Sequence, residues 1–257
     1  SVRDPLSYYR NNTANSRSLI ECAIKNGVGK FIFSSTAAVY GNPSSSPIAE
    51  AAPTLPISPY GWSKLMTEIM LRDASAAHGL THVILRYFNV AGADPDCRTG
   101  QSSPNATHLI KVAAETALGL RPKLQVFGTD YPTTDGTCIR DYIHVADLAR
   151  AHSDALRHIR SGGTSLTLNC GYGHGFSVLD VIETVKRVSG VDFEVEYAPR
   201  RPGDPAQLVA SSEKARATLG WKPRFDDLST IVRHALAWEN ALKTQFRTAP
   251  PAGYNRT

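Results

Sequence analysis

The chain has 257 residues, and 28 Lys and Arg against 23 Asp and Glu give a formal charge of +5. Hydrophobic residues make up 42% and charged ones 20%, which excludes a disordered or collagen-like chain. No apolar run nears the roughly 20 residues that span a bilayer, and Ser1–Leu6 lacks the apolar stretch of a secretion signal. The four cysteines, Cys22, Cys97, Cys138 and Cys170, include no Cys-x-x-Cys pair and read as reduced thiols of a cytoplasmic protein. No His-x-x-x-His with an acid between suggests a metal site. The basic residues are scattered, which argues against nucleic acid.

In chain order, helices and strands alternate. Asp4-Pro5 opens a helix through Leu19, Ile20 and Ile24 that stops at Gly27. Lys30–Ser35 is a continuous apolar run of the buried parallel-strand kind. Prolines at 43, 47, 53, 56 and 59 then impose a long loop. Ser58-Pro59 caps a helix to His78, stopped by Gly79, and Val83–Phe88 is a second buried strand. Residues 92–106 are polar and loop-like. After them come a helix over His108–Leu120, a strand over Leu124–Phe127, a helix over Val145–Ile159 and a strand over Ser165–Asn169. A capped helix over Ser177–Ser189, a strand over Phe193–Tyr197 and a helix over Phe225–Leu242 complete the chain. The pattern predicts an α/β fold on a doubly wound parallel sheet of Rossmann type, with a smaller α/β substrate domain. Ligands of such sheets sit at the carboxyl ends of the strands.

One of those ends carries a chemical signal. Tyr60 and Lys64 lie one helical turn apart in Tyr-Gly-Trp-Ser-Lys. A phenol with a pKa near 10 is a poor base at neutral pH, and a nearby ammonium favours the phenolate. A strand ending Ser34-Ser35-Thr36 supplies a hydroxyl 24 residues earlier.

Together with Phe31–Gly41 and Leu85–Asn89, this motif resembles the extended short-chain dehydrogenase/reductase family, and within it the UDP-hexose 4-epimerases. Phe127–Pro132, Asp135–Thr137, Arg140–Val145 and Ala198–Asp204 match the same pattern, so the resemblance runs from about Pro5 to Trp238. It implies interconversion of UDP-glucose and UDP-galactose by transient oxidation at sugar C4, with NAD as cofactor. On this resemblance Tyr60 is the base, Lys64 lowers its pKa and holds the nicotinamide ribose, and Thr36 binds the reacting oxygen. In related dehydratases the Thr is followed by Asp and Glu. Here Ala37 and Ala38 stand there, and methyl groups transfer no protons.

The resemblance further assigns Asn11 and Phe88 to the cofactor, and Asn89, His108 and Leu109 to the UDP-sugar. Phe127 borders the uracil, Arg140 and Arg201 face the diphosphate, and Asp204 takes the ribose hydroxyls. Leu208 falls where the family limits room at sugar C2, leaving N-acetylated sugars open. Lys111 replaces a proline usual two residues after Leu109. A related UDP-GlcNAc or UDP-pentose 4-epimerase and an inactive nucleotide-sugar-binding module are the alternatives. The family's pairing of two helices per subunit implies a homodimer, here through the helices of Leu19 and Ile20 and of Met66 and Met70.

None of the 19 glycines forms Gly-x-x-Gly-x-x-Gly, the turn that cradles the NAD pyrophosphate. On the order of 80–90 residues, two βαβ units, are therefore expected ahead of Ser1. The motif order assigns 1–92 and a return segment about 137–175 to the NAD-binding domain. Residues 93–136 and 176–257 fall to the UDP-sugar side.

Overall fold

The computed structural model describes residues 1–103, 106–201 and 203–248. Two residues of the predicted 92–106 loop, Pro202 of the Ala198–Asp204 motif and the chain beyond 248 lie outside them.

The first helix starts where Asp4 and Pro5 predict, with the Asp4 carboxylate accepting the Ser7 N–H at 3.2 Å. It is not uniform. α1 (Pro5–Tyr8) runs into a π-helical stretch (Tyr9–Ala14) and then α2 (Asn15–Lys25). The cause lies on α3 (Pro59–His78), whose Thr67 hydroxyl donates to the Asn12 carbonyl at 2.7 Å. Thr13 donates back to the Ser63 carbonyl at 3.1 Å. Partners for the widened turn thus come from a distant helix, and the local 3.6-residue period carries no trace of it.

β1 (Lys30–Thr36), β2 (Thr81–Tyr87) and β7 (Leu166–Cys170) form a parallel sheet in the order β1-β2-β7. Thr36 pairs with Tyr87 and Tyr87 with Cys170, so these three share the carboxyl edge. Val83, Ile84 and Leu85 of β2 are wholly buried, which is why that strand reads as an apolar run rather than an alternation. Beyond Phe88 the chain continues as β3 (Asn89–Ala91), paired in parallel with β6 (Tyr142–His144). β4 (Leu124–Phe127) pairs in parallel with β9 (Val195–Ala198). β5 (Ile139–Arg140) lies between β10 (Gln207–Leu208) and β8 (Phe176–Ser177).

α4 (Leu109–Ala117), α5 (Val145–Arg160), α6 (Val178–Ser189), α7 (Glu213–Leu219) and α8 (Leu228–Thr248) complete the fold. One core cluster runs from Leu85 and Leu168 of the sheet through Leu148, Ile110 and Val181 to Ile231, binding sheet and outer helices together. A second, with Ile20, Phe33, Leu71 and Ile84, seals α2 and α3 onto β1 and β2. Ile20 therefore faces inward, while Leu19, Trp62, Met66 and Ile69 remain on the outside. Among the described residues, no helix is long and apolar enough to cross a membrane.

Under the carboxyl edge lies a polar core. The Arg86 guanidinium meets Glu68 at 2.6 Å with both side chains buried, and Ser35 donates to the same carboxylate. Arg86 also donates to the Tyr40 hydroxyl at 3.0 Å, and Tyr40 to the Asn169 amide oxygen at 2.7 Å. Asn169 then reaches the Ile48 carbonyl, tying the proline-rich loop to β7. This closed network holds the segment that follows Thr36.

Candidate active site

The start of α3 sets the position of Tyr60. Ser58 is the N-cap, its hydroxyl accepting the Gly61 N–H at 3.2 Å, with Pro59 in the first turn. A Cβ on Gly61 would lie 2.6 Å from the Ala38 carbonyl oxygen, so only glycine lets this turn rest on the segment after β1. That segment is a 3₁₀ turn (Ala37–Tyr40) capped by Thr36, whose Oγ1 accepts the Ala38 N–H at 3.1 Å. The Thr36 hydroxyl hydrogen is thereby left for Tyr60.

Burial pushes the Tyr60 phenol above its ordinary range, the Thr36 hydrogen bond pulls it back, and Tyr8 raises it again. The Tyr8 ring meets Tyr60 edge-on, 6.1 Å between centroids. The Lys64 ammonium is held toward the end of β1. It donates to the Ser34 carbonyl at 3.0 Å and lies 5.0 Å above the Phe33 ring. Burial lowers the Lys64 pKa, and two of its three hydrogens remain for other partners.

A second phenol stands beside the first. Tyr87 is raised by burial and by Tyr60, and it shares a hydrogen bond with Ser34. The Ser34 hydroxyl is 2.8 Å from His152 Nε2, and His152 Nδ1 is 2.9 Å from the Leu148 carbonyl. Because that carbonyl only accepts, Nδ1 carries the ring hydrogen and Ser34 donates to Nε2.

Tyr60 and Tyr87 open into a cavity of about 550 Å³, bounded by Asn89, Gly92, Gln101, His108, Lys111 and Trp238. A second cavity of about 490 Å³ adjoins it, with Asn89, His108, Leu109 and Tyr142 lining both. Phe127, Arg140, Arg201 and Asp204 line the second. Arg140 Nη2 donates to Asp204 at 2.6 Å, and the Arg201 guanidinium lies 3.8 Å from the Phe127 ring centroid. The two cavities form one trough, with two phenols at one end and two arginines at the other. Phenol hydroxyls thus sit beside a site for an oxygen-rich group, and guanidinium forks beside a site for phosphate oxygens.

Seven of the predicted substrate residues meet in the second cavity: Asn89, His108, Leu109, Phe127, Arg140, Arg201 and Asp204. Tyr60 lines the first, with Thr36 behind it. Two others lie elsewhere. Asn11 is exposed on the π-helical stretch, and Phe88 is buried against Val39, Tyr40 and Leu65, lining neither cavity. Leu208 packs near the same cluster, opposite Arg140 in the β10–β5 register. Tyr87, Tyr8 and the Ser34–His152 pair were not singled out from the sequence. Tyr87 lies near the end of a predicted strand and could have been found by that position alone, whereas Tyr8 meets Tyr60 from the end of α1, where nothing local marks it.

Comparison with known proteins decides the family. Residues 1–171 match the model of the NAD dependent epimerase/dehydratase family. The chain belongs to this epimerase/dehydratase family. A UDP-glucose 4-epimerase from Azospirillum brasilense is 62% identical over 253 residues, which are 98% of this chain and 73% of that protein. The structure of a UDP-glucose 4-epimerase from Brucella ovis in complex with NAD superposes with a TM-score of 0.89 at 45% identity, covering 92% of this chain and 73% of that one. A UDP-Glc/GlcNAc 4-epimerase from Campylobacter jejuni is similar at 55% identity and a TM-score of 0.79, over 93% and 73% of the two chains. In the Thr36-Ala37-Ala38 turn, Thr36 offers a hydroxyl, and the two alanines that follow it offer no acid or base.

Proposed function

We propose that this chain carries the UDP-sugar site and the proton-transfer residues of a UDP-glucose 4-epimerase. The observation that carries the reading is the trough. Tyr60 and Thr36 stand at the end of β1, and the Arg140, Arg201 and Asp204 side chains line the adjoining cavity.

NAD, when bound, supplies the acceptor for the hydride at sugar C4 and its return. Of the residues present, Tyr60 and Lys64 fit its nicotinamide end, since Lys64 keeps hydrogens free beside Tyr60's helix turn. Asn11 joins them by resemblance. Tyr60, as phenolate, takes the proton of the 4-hydroxyl and returns it after the sugar has turned. Thr36 favours the phenolate by donating its one hydroxyl hydrogen to Tyr60, and its remaining lone pair is left to accept from the reacting 4-hydroxyl. Arg140 and Arg201 keep the diphosphate anchored while the sugar turns, and Asp204 accepts from the ribose hydroxyls. Ala37 and Ala38 have no proton to give or take, so they supply no acid or base for dehydration.

The test is an NMR assay of UDP-galactose with NAD, in the protein as its gene encodes it. UDP-glucose is the expected product, and a 4-keto-6-deoxy sugar would overturn the reading. For residues 1–257 alone the expectation is weak NAD binding, since no Gly-x-x-Gly-x-x-Gly occurs among them. Fluorescence titration that found tight NAD binding would refute it. Two copies are proposed to pair through the exposed Leu19, Trp62, Met66 and Ile69 of α2 and α3, and sedimentation tests that pairing.

A further inference from the structure

Lys111 lines the trough, yet its charge is not available to a ligand. The side chain is 7% exposed, and its three ammonium hydrogens face three acceptors. Glu239 Oε1 of α8 is at 2.5 Å, Glu115 Oε1 at 3.2 Å, and the Gln101 carbonyl oxygen at 3.2 Å. Two carboxylates neutralise the ammonium, so it cannot serve as a phosphate-binding charge. Its third bond goes to the loop whose Thr99, Gly100 and Gln101 line the first cavity.

That same carbonyl accepts from the Trp238 indole N–H at 3.1 Å, so both its lone pairs are used. Gly100 fits only without a side chain, because a Cβ there would lie 2.6 Å from the Trp238 ring. With its carbonyl held by two donors, Gln101 extends its amide nitrogen to 3.0 Å from His108 Nδ1. An amide nitrogen donates, so Nδ1 accepts and the ring hydrogen sits on Nε2. His108 lines both cavities at their junction.

We infer that Lys111 is a positioning residue: through Gln101 it fixes His108 as an Nε2–H donor toward the nucleotide in the second cavity. The inference rests on the reading that UDP occupies that cavity. It also gives the buried ion pair a reason to persist where apolar side chains would pack at lower desolvation cost.

The experiment compares UDP binding by calorimetry in the wild type, Gln101→Ala, and Lys111→Met combined with Glu239→Met. The double change removes both buried partners together and leaves Glu115 paired with Arg121 at 2.5 Å, which guards against an unfolded variant. Both variants are expected to bind UDP about tenfold more weakly, the weight of one misplaced charge-assisted hydrogen bond. Combining all three substitutions is expected to cost no more than either alone, because the residues act in series. Long-range ¹⁵N NMR should find the Nε2–H tautomer in the wild type and a mixture of tautomers in both variants. Affinities within about twofold of wild type, losses that multiply on combination, or an unchanged tautomer in either variant would each overturn the inference. A wild type that takes no UDP would instead bring down the reading of the cavity, and the inference with it.

Discussion

Arg140 and Asp204 are joined by a 2.6 Å hydrogen bond between residues that both line the nucleotide cavity. A second bond, from Arg140 Nη1 to the carbonyl of Ile139, leaves three of the five guanidinium hydrogens for a ligand. Asp204 thus aims the fork without exhausting it. Arg140→Lys keeps the charge and loses the fork, and UDP binding is expected to weaken by about tenfold or more. Asp204→Asn, which keeps an acceptor for Arg140, should cost less. Calorimetry with UDP measures both, and undiminished binding by Arg140→Lys would remove Arg140 from this role.

The Thr36 hydrogen bond draws the Tyr60 pKa down against the rise that burial imposes. The working form of Tyr60 is the phenolate, so turnover is expected to fall as pH drops through the phenol's pKa. Removing a hydrogen bond that favours the phenolate raises that pKa. Thr36→Val is therefore expected to move the acidic limb of the kcat profile to higher pH, while Thr36→Ser leaves it in place. Tyr60→Phe should lose about 10² to 10⁴ of turnover with an unchanged circular dichroism spectrum. A Thr36→Val profile superimposable on wild type would sink the proton-holding role of Thr36.

The parts of this fold legible from sequence are those whose causes are local. Ser58-Pro59 and Gly79 bound α3 because cap chemistry lies within three residues of each end. β1 and β2 read clearly because burial on both faces demands unbroken apolar runs. β3, β5, β6, β8 and β10 have only two or three residues each, too short to carry a period, and α7 has a single buried residue, Ala215. The site divides the same way. Tyr60, Arg140 and Asp204 sit in short motifs and line the trough, and Thr36, also in a short motif, hydrogen-bonds Tyr60 from behind it. The Lys111 tripod could not be foreseen, since Glu239 is 128 residues away and nothing local marks the pair.

The Arg86–Glu68 pair beneath the carboxyl edge should be indispensable singly and dispensable together. Glu68→Ala leaves a buried guanidinium uncompensated, and a loss of about 3–5 kcal/mol of stability is expected. Replacing both partners with Met removes the charge along with its counter-charge and should cost markedly less. Urea denaturation of the two variants checks this. If the double variant were the less stable of the two, the pair would be contributing net stability rather than mutual compensation.

Acid should loosen the contact between β6 and α8. His144 Nδ1 accepts the Ala146 N–H at 3.0 Å, so its hydrogen sits on Nε2 and points at His234 Nδ1, 2.9 Å away. Protonating His144 would set a second hydrogen against the Ala146 N–H and place a charge in a buried site. Burial, followed by His234, accordingly lowers its pKa to about 4. The ordinary value of about 6.5 applies in the unfolded chain, so the unfolded state binds more protons between these two values. The stability due to neutral His144 is complete above about pH 6.5 and is lost as pH falls towards 4, a difference on the order of 3 kcal/mol. His144→Gln keeps a polar side chain there but cannot titrate, so it should flatten this part of the stability profile. Urea midpoints at about pH 7 and pH 4.5 decide the matter. A wild type that loses no more stability than His144→Gln over that interval would show that the histidine pair does not sense acid.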